Sequence, residues 1–343
     1  MSVTEGQPFV TASDSTDDQR SFAPTASWEN LRLRADLLKR LRKFFEQRDF
    51  LEVETPLLSA DSVIDRHLDP IPVTLFDDPR RPTVGQPMWL QTSPEFGMKR
   101  LLASGAERIY QVTRAFRGAE RGRQHNPEFT IVEWYRVGDS MSEGIALLAD
   151  FAKEMLKVEK VETISYQEAF EQHVGIDPHT ASLEEIAIDG KHHIDGLPSR
   201  YRGDDRNDWL NFLLAIFVEP NLGVECPQIL YDYPAEQAAL ARVRDDDPPV
   251  AERFELYVNG VELANGYHEL LDGDVLRQRN RLTNQQRDRE RKYMLPEASL
   301  LLDAMDAGLP ACAGVALGFD RLVMVAAGAK SIDEVLAFPI DRA

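Results

Sequence analysis

The sequence predicts one large α/β or α+β enzyme core, and three observations carry that expectation. The chain has 343 residues, 43% of them hydrophobic, enough for two ordinary domains or one large core. No linker divides residues 27–343. Near the start, an amphipathic helical stretch runs into an alternating strand pattern. Further on, Asn259-Gly260 stands between two β-prone runs, a strong short-range hairpin signal.

Other classes are excluded. No stretch approaches 18 consecutive apolar residues; the longest, Phe212 to Val218, has the length of a buried strand or core helix. The first residues lack the basic start and apolar run of a signal peptide. Two cysteines make neither a disulfide framework nor a zinc set. A reduced, cytoplasmic enzyme is expected. The formal net charge of −19, from 39 basic and 58 acidic side chains, argues against a protein built to grip nucleic acid. Residues 28–123 are slightly basic and the rest strongly acidic, which suggests that an anion is handled in the basic part.

In chain order, residues 1–26 read as a flexible polar tail. Ser27 can cap a helix with Glu29 in its first turn, and Leu31, Ala35, Leu38, Leu41 and Phe45 mark one face of a helix over 28–48. Leu51–Thr55 alternates as a strand that Pro56 ends. Two β-rich runs, Arg108–Arg117 and Phe129–Arg136, flank a basic polar loop at 118–128. Residues 141–157 have helical periodicity, and residues 188–208 read as a surface insertion. In the Asn259-Gly260 hairpin a two-residue turn makes Val258 face Val261, Tyr257 face Glu262 and Glu255 face Ala264. Glu255 and Glu262 then lie diagonally on one face, roughly 7–8 Å apart. A solvated outer face explains them about as well as a Mg²⁺–nucleotide site does, although long carboxylates at that spacing can share one Mg²⁺.

Arg114, Arg117, Arg121 and Arg123 fall at the mouth of the first hairpin. Isolated, such a cluster is most often a solvated loop, but a fixed Arg at a strand end is also what an α-phosphate needs. Phe129 can stack on a flat base or simply join the core, and His125 with Glu128 lacks the partners of a metal site. Near the C-terminus, Gly314–Gly318 leads through Asp320 and Arg321 into a short helix over Leu322, Val325 and Ala326, closed by Gly328. Its first turn favours anions. P-loop, GxGxxG, HExxH and GxSxG motifs are absent, so phosphate chemistry here must use arginines and metal.

Together these pieces resemble the class II aminoacyl-tRNA synthetases. Gln47-Arg-Asp-Phe-Leu-Glu-Val-Glu-Thr-Pro56 looks like motif 1, Arg114-Ala-Phe-Arg117 through Glu128-Phe129 like motif 2, and Gly314 through Arg321 like motif 3. Thr92-Ser-Pro-Glu95, His125-Asn-Pro-Glu-Phe129, Glu133-Trp-Tyr135 and Glu262-Leu-Ala-Asn265-Gly-Tyr-His-Glu269 are similar to the lysyl branch. About 27 polar residues precede the first helix, too few for the five strands of an anticodon-binding OB barrel, so the resemblance narrows to the family of elongation factor P–(R)-β-lysine ligases. A truncated lysyl-tRNA synthetase and an inert regulatory paralogue are the rival readings.

The resemblance implies an α+β fold, a mixed, mainly antiparallel sheet flanked by helices over 27–343, dimerised through motif 1. It implies ATP and Mg²⁺, lysine or (R)-β-lysine as the activated amino acid, elongation factor P as protein acceptor, and no tRNA. Arg117 would hold the α-phosphate and substrate carboxylate, and Arg321 the γ-phosphate end. Phe129 would stack on adenine with His125 and Asn126 nearby, and Leu263 and Gly318 would line the nucleotide. Glu255 and Glu262 would bind Mg²⁺. Ser93 and Glu95 would receive the amino group near the carboxylate, Glu269 and Tyr135 the distal ammonium, and Asn265 the carboxylate end. Ala316 stands where lysyl synthetases carry Gly; a methyl there would reject an α-amino group by about 1–3 kcal/mol. The chain departs from the family's Arg-x-Glu in motif 2, reading Arg117-Gly-Ala119-Glu120, so Glu120 is the candidate for the adenine amino group. Gln124 also replaces an Arg.

Overall fold

The computed structural model describes residues 22–192, 205–297 and 299–343. The first helix, α1 (Trp28–Glu46), begins at its cap, Ser27 accepting from the Asn30 amide. Its buried side is Leu37, Leu41, Phe44 and Phe45, while Ala35 is exposed and Leu31 half-buried. The stripe is therefore turned from the expected one. Phe44 and Phe45 decide this, because both rings pack on Phe151 and Phe45 also on Trp134. Of the expected tail, residues 1–21 lie outside the described residues. Residues 22–26 are held, since the Thr25 and Ala26 amides donate to the Ala337 and Leu336 carbonyls.

The strand after α1, β1, keeps only Leu51–Glu52. The short strands β2 (Leu58–Ser59), β3 (Ile71–Leu75) and β4 (Gln86–Leu90) form a separate sheet. Helix α2 (Glu95–Ala103) leads into β5 (Arg108–Phe116) and β6 (Glu128–Val137), the expected β-rich pair, antiparallel from Arg108↔Arg136 to Phe116↔Glu128. Helix α3 (Met141–Leu156) starts at a Ser140–Glu143 capping box. Then come β7 (Glu162–Ser165), α4 (Tyr166–His173), α5 (Leu183–His192) and α6 (Arg206–Leu213), which continues as a π-helical turn over Leu214–Val218. The insertion expected at 188–208 falls largely outside the described residues, and its two ends are helical. The remaining elements are β8 (Gln228–Pro234), β9 (Val243–Arg244), β10 (Val250–Val258), β11 (Val261–His268), α7 (Gly273–Arg289), α8 (Leu300–Gly308), β12 (Cys312–Gly318) and α9 (Phe319–Ala327).

The main sheet runs β1-β5-β6-β12-β11-β10-β8-β7, with β9 beside β10. Among the described strands only β1/β5 and β7/β8 are parallel, so the fold is α+β with a mixed, mainly antiparallel sheet. Alternation along the strands sorts the two faces. Tyr110, Trp134, Val315, Ala264, Leu256 and Ile229 enter one core with α1, α3 and α9. On the opposite face the register lines up Gln111, Glu133, Ala316, Asn265 and Glu255 as direct neighbours on five consecutive strands. That polar row is the floor of the candidate site.

The β10–β11 hairpin forms at Asn259-Gly260, whose φ values of 50° and 72° are those a primed turn needs and glycine adopts without cost. Val258↔Val261 and Tyr257↔Glu262 pair as expected. The third expected pair is wrong: Glu255 faces Asn265, and Ala264 faces Leu256. A bulge at Leu263 adds one residue to β11 and shifts everything beyond it.

Candidate active site

The motif 2 loop joins β5 to β6, and the first turn of α9 abuts it. Asp320, 1% exposed, fixes that helix end by accepting from the Thr130 amide on β6 (2.9 Å) and from Arg34 of α1 (2.6 Å). The next residue, Arg321, reaches back over the sheet. It donates to the Glu262 carbonyl (2.9 Å), the Gln124 carbonyl (3.3 Å) and His125 Nε2 (2.6 Å). His125 therefore accepts at Nε2, and burial with Arg321 and Arg117 alongside lowers its pKa to about 4. It is neutral at pH 7. The Arg117 guanidinium lies over the Phe129 ring, 4.8 Å from its centroid, and 3.8 Å from the Glu120 carboxylate. Its buried Nε has no partner among the described residues. Glu120 is raised by burial against the pull of Arg117 and Arg321.

Two expected nucleotide contacts look elsewhere. Asn126 donates to the Glu128 carbonyl and accepts from the Ile340 amide (2.9 Å), so it fastens the C-terminal turn to the loop. The Leu263 side chain, 1% exposed, is core; only its carbonyl faces Gly318, which caps α9.

The other end of the floor is an acid-lined pocket. Glu133 has no solvent exposure and accepts from Ser93 Oγ (2.5 Å) and Tyr135 OH (3.1 Å). Burial, then Glu95, pushes it up to about 8, so it is protonated at neutral pH. Glu95, at the start of α2, and Glu269, just past β11, are both buried and meet at Lys99 Nζ, 2.5 and 2.6 Å away. Burial and Glu95 raise Glu269, and Lys99 opposes them. Gly314 is required under Tyr135, since a Cβ there would stand 2.2 Å from that ring and 2.4 Å from Glu269 Oε1. Asn265 donates to Tyr267 OH (3.2 Å), and its buried Oδ1 has no partner among the described residues. Ala316, half-buried, sits between Glu133 and Asn265.

At the hairpin, Glu255 is 4% exposed. It accepts from Tyr233 OH (2.5 Å), Tyr257 OH (2.6 Å) and Arg253 (2.5 Å). Three of its roughly four lone-pair positions are thus used, which the expectation of a free metal ligand did not foresee. Glu262, its side chain 39% exposed, is raised by desolvation in the cleft and by Glu255. Glu219 joins them, raised to about 7 by burial, Glu255 and Glu262. Among the described residues no group of three or more His, Cys, Asp or Glu is arranged to hold a metal by itself.

The sequence reading did not count Glu133, Lys99 or Glu219 as site residues. Glu133 was legible two residues before Tyr135 on one strand, hence on the same face. Lys99 was legible at i+4 from Glu95, whereas no local signal marks Glu219.

A mainly antiparallel sheet with α1, α3 and α9 packed on one face and a polar row across the other defines a core of class II tRNA synthetase type. A family model described as tRNA synthetases class II (D, K and N) matches residues 21–342, and the chain belongs to this family. Relatives named elongation factor P–(R)-β-lysine ligase align over nearly their full lengths. The Pasteurella multocida protein is 43% identical over 332 residues, covering 95% of this chain and 99% of the relative. The Histophilus somni protein is 45% identical over 326 residues (94% and 98%), and that of Salmonella paratyphi B 43% identical over 323 residues (94% and 98%). No helix among the described residues is long and apolar enough to cross a membrane.

Proposed function

We propose that the chain is a cytoplasmic, dimeric ligase that activates (R)-β-lysine, or lysine, with ATP and transfers it to a lysine side chain of elongation factor P. The observation that carries this reading is the single polar face with arginines at one end and three buried carboxyl groups at the other. A diamino acid has two ammonium groups for the acids and one carboxylate to present toward the arginines.

In the first step the substrate carboxylate oxygen attacks the α-phosphorus of ATP. An aminoacyl-adenylate forms, and the bond to the bridging oxygen breaks to release pyrophosphate. The acceptor amine then attacks the acyl carbon, an amide forms, AMP leaves and the nitrogen loses its proton. Catalysis is positioning and charge neutralisation. Arg117 meets the α-phosphate and the incoming carboxylate; stacking adenine on Phe129 requires its guanidinium to leave that ring. Arg321, steadied by neutral His125, meets the far phosphates. Glu269 and Tyr135 take the distal ammonium, Ser93 and Glu95 the nearer one, and Asn265 the carboxylate end. The Ala316 methyl, between Glu133 and Asn265, disfavours an α-amino group.

Mg²⁺ fits the hairpin end. Glu255 raises the pKa of both Glu219 and Glu262, as crowded carboxylates do without a cation between them, and Mg²⁺ is commonly held by one or two carboxylates plus phosphates. Glu262 and the remaining lone pair of Glu255 would hold it. Bound there, it would neutralise charge on the leaving pyrophosphate.

The test is ATP–pyrophosphate exchange with α-lysine, (R)-β-lysine and unrelated amino acids, followed by the intact mass of elongation factor P, with bulk tRNA as a competing acceptor. Lysine-specific exchange and a mass gain on the factor are expected. No exchange with any amino acid sinks the enzyme reading, and exchange with charging of tRNA alone sinks the acceptor. Arg117→Ala and Arg321→Ala are each expected to lower exchange at least 100-fold.

A further inference from the structure

Lys99 is 2% exposed, a rare situation for an ammonium group. Helix α2 makes it possible by setting Glu95 and Lys99 one turn apart, and the end of β11 supplies Glu269. The ammonium engages one oxygen of each carboxylate, Glu95 Oε1 at 2.5 Å and Glu269 Oε2 at 2.6 Å. Those oxygens are no more than about 5 Å apart, each being within hydrogen-bond reach of one nitrogen. The other Glu269 oxygen faces the Gly314 position beside Tyr135, inside the pocket.

A buried carboxylate without a cation takes up a proton, as Glu133 does nearby. Burial alone would deprotonate Lys99, but Glu269 and Glu95 outweigh it and hold it charged. Charged, it bridges the two carboxylates and fixes where each of them stands.

We propose that Lys99 is a positioning residue that determines specificity: its ammonium bridges the Glu95 and Glu269 carboxylates and holds them splayed, so the pocket favours an amino acid with two ammonium groups over one with a single group. This rests on the proposed activation of a lysine-type substrate. Without Lys99 nothing bridges the two carboxylates, and the second ammonium loses a partner fixed in place.

The experiment compares lysine with 6-aminohexanoic acid, which lacks the second ammonium, in ATP–pyrophosphate exchange by wild type and Lys99→Met. In wild type the kcat/KM ratio between them is expected to exceed 100. In Lys99→Met it is expected to fall below 10, the KM for lysine rising more than 30-fold and the KM for ATP staying within 2-fold. A general packing defect would lower both substrates equally or raise both KM values; an unchanged ratio overturns the proposal. If Lys99→Met does not fold, Glu95→Gln/Lys99→Met, which removes one buried acid together with the cation, is compared with Glu95→Gln alone. A further tenfold rise in KM for lysine supports the role of Lys99 toward Glu269, and equality of the two refutes it. Absence of lysine-dependent exchange in wild type would refute the functional reading, whereas active wild type with an indifferent Lys99 refutes this inference alone.

Discussion

The Glu133 carboxyl, which accepts from Ser93 and Tyr135 with no access to water, has a consequence for stability. Its pKa is raised from 4.5 to about 8, by burial first and Glu95 second, so the folded protein holds a proton that the unfolded chain releases. Its contribution to stability is complete below pH 4.5 and is lost as pH rises through about 8. Glu133→Gln, which cannot ionise, is expected to flatten the fall of Tm between pH 5 and 8.5, gaining a few degrees over wild type at pH 8. Thermal scans across that pH range decide it, since parallel curves would mean that Glu133 is already ionised. At the opposite end of the floor His125 behaves inversely: its lowered pKa preserves its acceptor role toward Arg321 until well below pH 5.

Two elements turn local geometry into site geometry. Strand β12 carries Gly314 beneath Tyr135 and Glu269, and Gly314→Ala would force its methyl into both. A cost of about 1–3 kcal/mol is expected from such overpacking, with at least a 100-fold loss of lysine-dependent exchange, read from Tm and the KM for lysine. The motif 2 loop is held from outside by the C-terminal turn. Arg121 pairs with Asp333 (3.1 Å) and Asp341 (2.5 Å), the Ile332 amide donates to the Arg123 carbonyl, and Asn126 accepts from Ile340. Asn126→Ala removes two part-buried hydrogen bonds, at about 0.5–1.5 kcal/mol each. It is expected to raise the KM for ATP 3- to 10-fold without moving that for lysine; an unchanged KM for ATP would mean that the turn only stabilises the fold.

For the molecule as a whole, Trp28 at the start of α1 and Leu51 within motif 1 are exposed (67% and 64%), and apolar side chains left in water near a proposed interface are accounted for by covering them. Leu51→Asp is expected to convert a dimer to a monomer in sedimentation velocity, and a monomeric wild type would remove that part of the reading. Much was legible in the chain before folding: the α1 cap, the β5–β6 pair, the Asn259-Gly260 turn and Arg321 in the first turn of α9 depend on neighbours a few residues away, whose sterics and hydrogen bonds the local order of side chains dictates. The family resemblance rested on such stretches too. What needed the folded molecule was everything set by distant partners. The rotation of α1 follows from Phe151 and Trp134, the Glu255 register from a bulge whose extra residue no turn rule announces, and Asn126's duty from a C-terminus more than 200 residues later. The charge states of Glu133, Glu269 and Lys99 belong to this second group. A carboxyl's pKa depends on how much water and which charges surround it, and only the packed sheet, with α2 laid beside β11, brings those three together and excludes the solvent.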